Sequence, residues 1–366
     1  MNVKSFDEVF DDKTKYGTKV KTDEYHASGK HLIIDQGQSQ VAGYTDLEQG
    51  LFEDVPAIIF GDHTRVIKYV DAPFFLGADG VKVLRSKYEK ANYRYLYYAL
   101  KSVRIPNTGY NRHFKWLKET RINYPDVEQQ EEIVRILDGI TEIIDKRQQQ
   151  LAALDDLIKA RFVEMFGDPV NNEKGWNTRP LLSMGSCKNG MNFHYDDSGI
   201  EINCLGVGDF KDYSIIADTA SLPTVSLNEM PSTEYLLRDD DIVFVRSNGN
   251  KKMVGRSVAV YPGTVPTTFS GFCIRYRRDD DTVITPYLLR VLKAESMRQK
   301  MYGRGANIQN LNQQTLSSLD IPVPPKAMQE QFAAFVAQVD KSKVVIQKAI
   351  DDTQLLFDSL MQRYFS

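Results

Sequence analysis

The sequence predicts an α+β chain: two mixed α/β globules separated by two long helices that pair as an antiparallel coiled coil, forming an internal pseudo-twofold repeat. Three observations lead there. Residues 110–166 and 309–365 align without insertion, Pro125 matching Pro324, 199 residues on. At that offset Leu117 meets Leu316, Ile122 meets Ile321, Gln130 meets Gln329 and Phe166 meets Phe365. After each matched proline, apolar residues recur at alternating steps of four and three. Ahead of each such stretch the same order of short strands and a helix appears twice.

The first globule occupies 1–125. Its strands are AIIFG (57–61), RVIKYV (65–70) and VKVL (81–84), separated by the turn-rich pieces GDHT and LGADG. A helix follows at 92–103. The first long helix, 126–167, sets Ile133, Leu137, Ile140, Ile144, Arg147, Leu151, Leu154, Ile158, Arg161 and Met165 on one seam. The turn-forming GDPVNNEKG then leads into the second globule, 168–324. Its strands are DIVFVR (241–246), SVAVY (257–261) and FCIRYR (272–277), and its helix spans 286–302. Tyr95-Leu96 and Tyr287-Leu288 open the two globular helices alike. The second globule is longer, with an extra stretch at 191–210. The second long helix, 325–366, places Phe332, Val336, Val339, Lys343, Ile346, Ile350, Thr353, Phe357, Leu360 and Tyr364 in the matching slots. Each long helix should run to roughly 38 residues, about 55 Å at 1.5 Å per residue. An average globular helix has about 11–12 residues. The polar interruptions Arg147 and Lys343 fall in slots that hold Ile346 and Ile144 in the other copy, and a long cationic stem can lie along an apolar neighbour if the helices pair.

Composition excludes several classes. Of 366 residues, 26% are charged and 42% hydrophobic, as in ordinary soluble proteins. A formal net charge of −3 offers no global attraction to nucleic acid, so any such binding must use local patches. Three cysteines (Cys187, Cys204 and Cys273) form no CxxC pair, which argues against a disulfide framework or a zinc site and fits a reducing compartment. No signal peptide and no run of 18 apolar residues is present, so the chain reads as cytoplasmic.

The alternation of globule, helix, globule, helix resembles the specificity subunit of type I restriction–modification systems. IPVPPKAMQEQF (321–332), with its weaker partner INYPDVEQQEEI (122–133), looks like that family's strand exit into a conserved helix. ARFVEMFGDPVNNEKGW (160–176) resembles its junction between helix and second globule, and HLIIDQGQSQVAGYTD (31–46) the opening of a target recognition domain. One departure is that this chain begins almost inside the first recognition domain, at VKSFDEVF (3–10). That leaves the second helix alone to close the assembly. The resemblance implies a double-stranded DNA-reading scaffold, each globule reading half of a split, asymmetric target. Two modification subunits, carrying S-adenosylmethionine, would dock on the helices, and ATP-driven restriction subunits would join them. No cofactor is expected in this chain itself.

The residues agree with a chain that performs no chemistry. The only Pro-Pro, Pro324-Pro325, is not the D/N-P-P-Y/F motif of an adenine methyltransferase. CLGVGDF (204–210) has GxG without a third glycine, and no GxxxxGK[ST] loop exists. Asp126 and Glu128 lack a following lysine at nuclease spacing and suit a helix start. His63, His113 and His194 are isolated.

Local DNA contact has support. The loop 246–256 carries Arg246, Asn248, Lys251, Lys252 and Arg256 with no acid among them. Lysine and arginine neutralise phosphates, while arginine and asparagine can read base edges. The matching loop of the first globule supplies His63, Thr64, Arg65 and Lys68. A second cluster precedes each matched proline: Arg112, His113 and Lys115 in one copy, Arg304, Asn307, Gln309 and Asn310 in the other. Gln36 and Gln38, with Ser39 and Gln40, form a further candidate reader. The competing class is a scaffold that binds proteins through the same duplicated module.

Overall fold

The computed structural model describes residues 3–77, 79–109, 111–193, 198–210, 214–301 and 310–365. Its packing divides the chain into two compact units, Met1–Gln149 with Gln347–Ser366, and Gln150–Ile346. The division passes through both long helices, so each unit holds one globule and half of each helix.

The first unit runs β1 (Val3–Ser5), α1 (Phe6–Val9), β2 (Phe10–Asp12), β3 (His31–Ile34), β4 (Gly43–Thr45), β5 (Ala57–Gly61), β6 (Ile67–Val70), β7 (Phe74–Leu76), β8 (Val81–Ser86), α2 (Tyr93–Ser102), α3 (Phe114–Lys118) and β9 (Arg121–Asn123), then enters α4 (Val127–Phe166). The sheet β2-β8-β5-β6 is antiparallel, and in the smaller sheet β4-β3-β7 the pair β3 and β7 is parallel. Strand β5 is buried at every position, hence its unbroken apolar run. Ala57 and Ile59 pack with Ile34, Phe74 and Leu76 of the smaller sheet. Phe60, on the alternate face, lies 6.1 Å from the Phe114 ring of α3.

The second unit continues with β10 (Thr178–Pro180), β11 (Gly185–Asn189), β12 (Ile200–Leu205), β13 (Ile215–Ile216), β14 (Thr224–Leu227), β15 (Asp241–Val245), β16 (Ser257–Val260), β17 (Thr267–Phe269) and β18 (Cys273–Arg278). Then come α5 (Thr285–Lys293), α6 (Glu295–Met301), α7 (Gln313–Ser317), β19 (Asp320–Pro322) and α8 (Lys326–Phe365). The sheet β11-β18-β15-β16-β13 repeats the larger sheet of the first unit with one added edge strand, and β14-β12-β17 repeats the smaller one, parallel pair included. This corrects the reading of 191–210 as extra. β12 is the counterpart of β3, a relation hidden because HLII and IEINCL share neither identities nor an apolar pattern. A second correction concerns the helix expected at 286–302, which breaks at Ala294, an extended residue with ψ 136°. Fully buried Met297 and almost fully buried Met301 hold the second piece in the core.

Both long helices span 40 residues, and all twenty seam positions are buried or half-buried. Within each unit the two helices run antiparallel. In the first, Gln130 and Ile133 share a cavity with Arg363 and Tyr364, while Arg147 Nη1 donates to Ala349 O at 2.6 Å and also to Thr353 Oγ1. In the second, Lys343 Nζ meets Asp155 at 2.8 Å, and Phe162 and Phe166 pack on Phe332. Arg147 and Lys343 are therefore satisfied across the pair, while Arg161 pairs with Glu164 of its own helix at 2.8 Å.

The matched register has a local cause at each strand exit. Tyr95 OH donates to Asn123 O at 2.7 Å, and Tyr287 OH to Pro322 O at 2.9 Å, acceptors 199 residues apart. Gln130 Nε2 donates to Pro125 O at 2.8 Å and Gln329 Nε2 to Pro324 O at 2.9 Å, both side chains buried. Each proline carbonyl lies beyond the reach of a strand ladder, and a buried carbonyl needs a donor. The glutamine supplies it.

Candidate nucleic-acid interface

In both units the residue just after the central strand is pinned by the same two backbone bonds. Asp62 N donates to Gly80 O at 2.7 Å, and Asp62 O accepts from His113 N at 2.8 Å. In the second unit Arg246 N donates to Phe272 O at 2.8 Å, and Arg246 O accepts from Leu311 N at 2.9 Å. The hairpin loop, the turn after the parallel strand and the segment before the short helix thus meet at one place in each globule. What differs is the side chain there. Helix α7 is capped by its own Asn312, whose Oδ1 accepts from Thr315 N at 2.8 Å. Helix α3 starts at His113, which provides no such cap, so Asp62 Oδ1 takes Phe114 N at 2.7 Å. The first globule therefore turns an acid inward where the second carries Arg246.

Around Asp62 the expected contact residues separate into two groups. Arg112 and Lys115 are exposed, Lys115 with its ammonium 4.1 Å from the Trp116 ring centroid. Arg65 is half-buried, sits at φ 62° and donates to Ile105 O. The carboxyl of Asp79 is held low mainly by its hydrogen bond from Lys19, with smaller pulls from Arg112 and His63. Gln38 is exposed. Three other residues are framework, contrary to expectation. Lys68 is only 3% exposed; its ammonium donates to Ser39 O at 2.6 Å and faces Asp35, and burial lowers its pKa. His113 is fully buried, its Nδ1 3.0 Å from Asp62 O. Gln36 is a buckle: Nε2 donates to Asp79 O at 2.9 Å, Oε1 accepts from His63 N at 3.1 Å, and its carbonyl takes Thr64 Oγ1 at 2.6 Å. Each of these polar groups lies between loops distant in sequence, where an unpaired donor or acceptor would be costly.

In the second globule the loop 246–256 is shaped from within and from beneath. Asn248 Oδ1 accepts from Asn250 N at 2.8 Å, and Asn250 Oδ1 from Lys252 N at 3.1 Å, successive side-chain-to-backbone turns. Arg298 of α6 grips the carbonyls of Lys252 and Val254 at 2.8 and 3.2 Å. Arg246 Nη1 donates to Gly271 O, and Arg256 Nη1 reaches Phe210 O. Lys251 and Lys252 are exposed. Arg304, Asn307, Gln309 and His194 lie outside the described residues. Asp62, Arg298 and Phe272 were not singled out from the sequence. Arg298 and Phe272 read there as parts of a helix and a strand, and Asp62 as part of a turn. Among the described residues no group of three or more His, Cys, Asp or Glu side chains could hold a metal ion.

The family described as "Type I restriction modification DNA specificity domain" matches residues 1–155 and again 207–353. The chain belongs to this family. Relatives among the type I specificity subunits include that of StySPI from Salmonella potsdam, 24% identical over 260 residues, covering 66% of this chain and 55% of the relative. That of EcoKI from Escherichia coli strain K12 is 29% identical over 132 residues, 34% of this chain and 28% of the relative. The chain thus spans about half the length, or less, of the curated relatives it matches. The S subunit of the type I system of M. genitalium superposes over 100% of this chain and 96% of its own, with a TM-score of 0.54 at 17% identity. That likeness is one of fold. In this specificity-family chain, two globules and two long paired helices repeat the duplicated plan read from the sequence. No helix among the described residues is long and apolar enough to cross a membrane.

Proposed function

We propose that this chain is the DNA-reading subunit of a type I restriction–modification assembly, each globule reading one half of a bipartite, asymmetric duplex. The observation that carries this reading is the shared pin with different side chains. One scaffold occurs twice, but the first globule carries Arg112, Lys115 and His63 next to its pinned residues and an exposed Gln38 on the loop that Gln36 ties to His63, whereas the second carries Arg246 at the pin with Asn248, Lys251 and Lys252 in the loop that follows. Equal frames bearing unequal readers suit a target whose halves differ. The exposed cations contact phosphates, and Arg246 and Asn248 have the donors for base edges. S-adenosylmethionine and ATP chemistry belong to the partner subunits in this reading. Leu157 and Leu356 hold the same slot in the two helix copies and are 46% and 52% exposed, which supports a reading in which two modification subunits dock at equivalent positions.

The test is methylation mapping and duplex binding with the purified modification complex. Arg246→Ala or Asn248→Ala should weaken and relax only one half-site, by about 1–3 kcal/mol for a good base contact. Arg112→Ala should act on the other half. Lys251→Ala should weaken binding to all sequences and flatten its salt dependence. Equal affinity of the wild-type complex for all duplexes overturns the assignment, and so does a change in both halves from Arg246→Ala.

A further inference from the structure

We infer that Phe272 is a base-reading residue of the second globule, its ring meeting the 5-methyl group of a thymine in the major groove. The inference rests on the DNA-reading function proposed above and adds a residue whose chemistry is apolar.

Phe272 is 61% exposed, yet its backbone is bonded on both sides. Its carbonyl accepts from both Arg246 N and Ser247 N, at 2.8 and 3.2 Å, and its own N–H donates to Ser270 Oγ at 3.3 Å. On either side, Gly271 N donates to Met191 O at 2.6 Å, and Cys273 is fully buried. At Gly271 an added Cβ would fall 2.1 Å from Asn192 Oδ1 and 3.1 Å from Met191 O, so the 191–192 segment lies close against the turn. A backbone this constrained aims an aromatic ring outward without the ordering cost that a mobile loop incurs on binding.

Its surroundings identify the occupant. The Phe272 backbone is bonded directly to that of Arg246, whose guanidinium donates to the neighbouring Gly271 O, and Asn248, Lys251 and Lys252 follow in the same loop. An apolar ring amid cations and an amide fits a groove edged by phosphates. The only apolar feature on major-groove base edges is the thymine methyl. The first globule cannot make this contact. Its equivalent carbonyl belongs to Gly80, at φ 88°, where a Cβ would lie 2.6–2.8 Å from the Gln36 amide. The two globules therefore differ in kind at the same point of the frame, one presenting a phenyl ring and the other bare backbone.

The experiment uses the full chain with its modification partner and duplexes of its mapped target. Every thymine in the second half-site is replaced singly by uracil, which deletes only the methyl group. With wild-type protein one such replacement should weaken binding about fourfold, the scale of one buried methyl group. Phe272→Ala should bind the thymine duplex about tenfold more weakly and lose the thymine–uracil difference. Phe272→Leu should retain part of it, and replacements in the first half-site should behave alike in all three proteins. The exposed position predicts unchanged hydrogen exchange at the amides of the second unit, which separates contact from folding. A second half-site insensitive to uracil, or one whose sensitivity persists in Phe272→Ala, overturns the inference while leaving sequence-specific reading intact. A complex that ignores sequence altogether removes the function and the inference with it.

Discussion

Replacing Gln329 by alanine probes how a globule is fastened to its long helix. The side chain is fully buried and makes three bonds: Nε2 to Pro324 O at 2.9 Å and to Thr282 O at 3.1 Å, and Oε1 from Ile284 N at 3.0 Å. Truncation leaves two carbonyls and one N–H without this partner in the interior. Each lost bond is worth about 0.5–1.5 kcal/mol, more where the orphaned group stays dry. About 3–5 kcal/mol is therefore expected. Gln130, the matched residue, donates to Pro125 O and otherwise meets Tyr124, so Gln130→Ala should cost about 1–2 kcal/mol. Gln329→Glu should be no milder than alanine, because a carboxylate would face the same two carbonyl oxygens. The two units can unfold separately, so a single melting curve is a poor measure. Native-state hydrogen exchange, followed at the amides around 282–290 and around 122–130, resolves each unit. The reasoning is refuted if Gln329→Ala costs less than about 1 kcal/mol, or no more than Gln130→Ala.

Gln36→Ala should loosen the 61–66 and 79–80 amides in hydrogen exchange and weaken discrimination across the whole first half-site, since its amide joins those loops. Gln38→Ala should alter preference at a single base pair and leave exchange unchanged; identical profiles for the two variants would refute the division between buckle and reader. Seven residues inserted in each long helix, after Gln149 and after Lys348, keep both seams in phase and add about 10 Å. Methylation mapping should then show unchanged half-sites with about three more base pairs between them; an active variant with the original spacer would sink the idea that the helices set it. Lys293 is largely buried, and burial, with Arg290, Lys343 and Arg256 nearby, brings its pKa down to about 8, opposed by Asp155. The unfolded chain thus holds this proton up to higher pH than the folded one, so the residue's penalty is full below pH 8 and is relieved as pH rises from about 8 toward 10.5. Lys293→Met should stabilise the second unit at pH 7 and flatten that rise, measured by urea unfolding at several pH values; equal slopes for the two proteins would contradict it.

The amino-acid sequence by itself determined the duplicated plan, the long helices and their seam. Those signals are periodic and local: a four–three repeat sustained over 33 residues in each copy (133–165 and 332–364), and a proline with its glutamine five positions on. It also located the paired loops at 60–68 and 246–256, because turn residues between apolar runs report hairpins directly. Which side chains of those loops face outward was decided only by tertiary structure. Lys68 and Gln36 look like any cationic or amide loop residue until Asp35, Ser39, His63 and Asp79 are brought to them across 27 to 43 residues of chain. His113 is claimed by Asp62, and Asp62 by the lack of a cap on α3, a need that α7 meets with Asn312. The correspondence of β12 with β3 emerged only from their parallel partners β17 and β7, since a short half-buried strand takes its residues from its packing context and preserves little identity. Phe272, read as the first residue of a strand, lies one position before it. Whether an aromatic ring there enters the core or faces solvent depends on a turn closed by Met191, Ser270 and Arg246, and no local pattern encodes that closure.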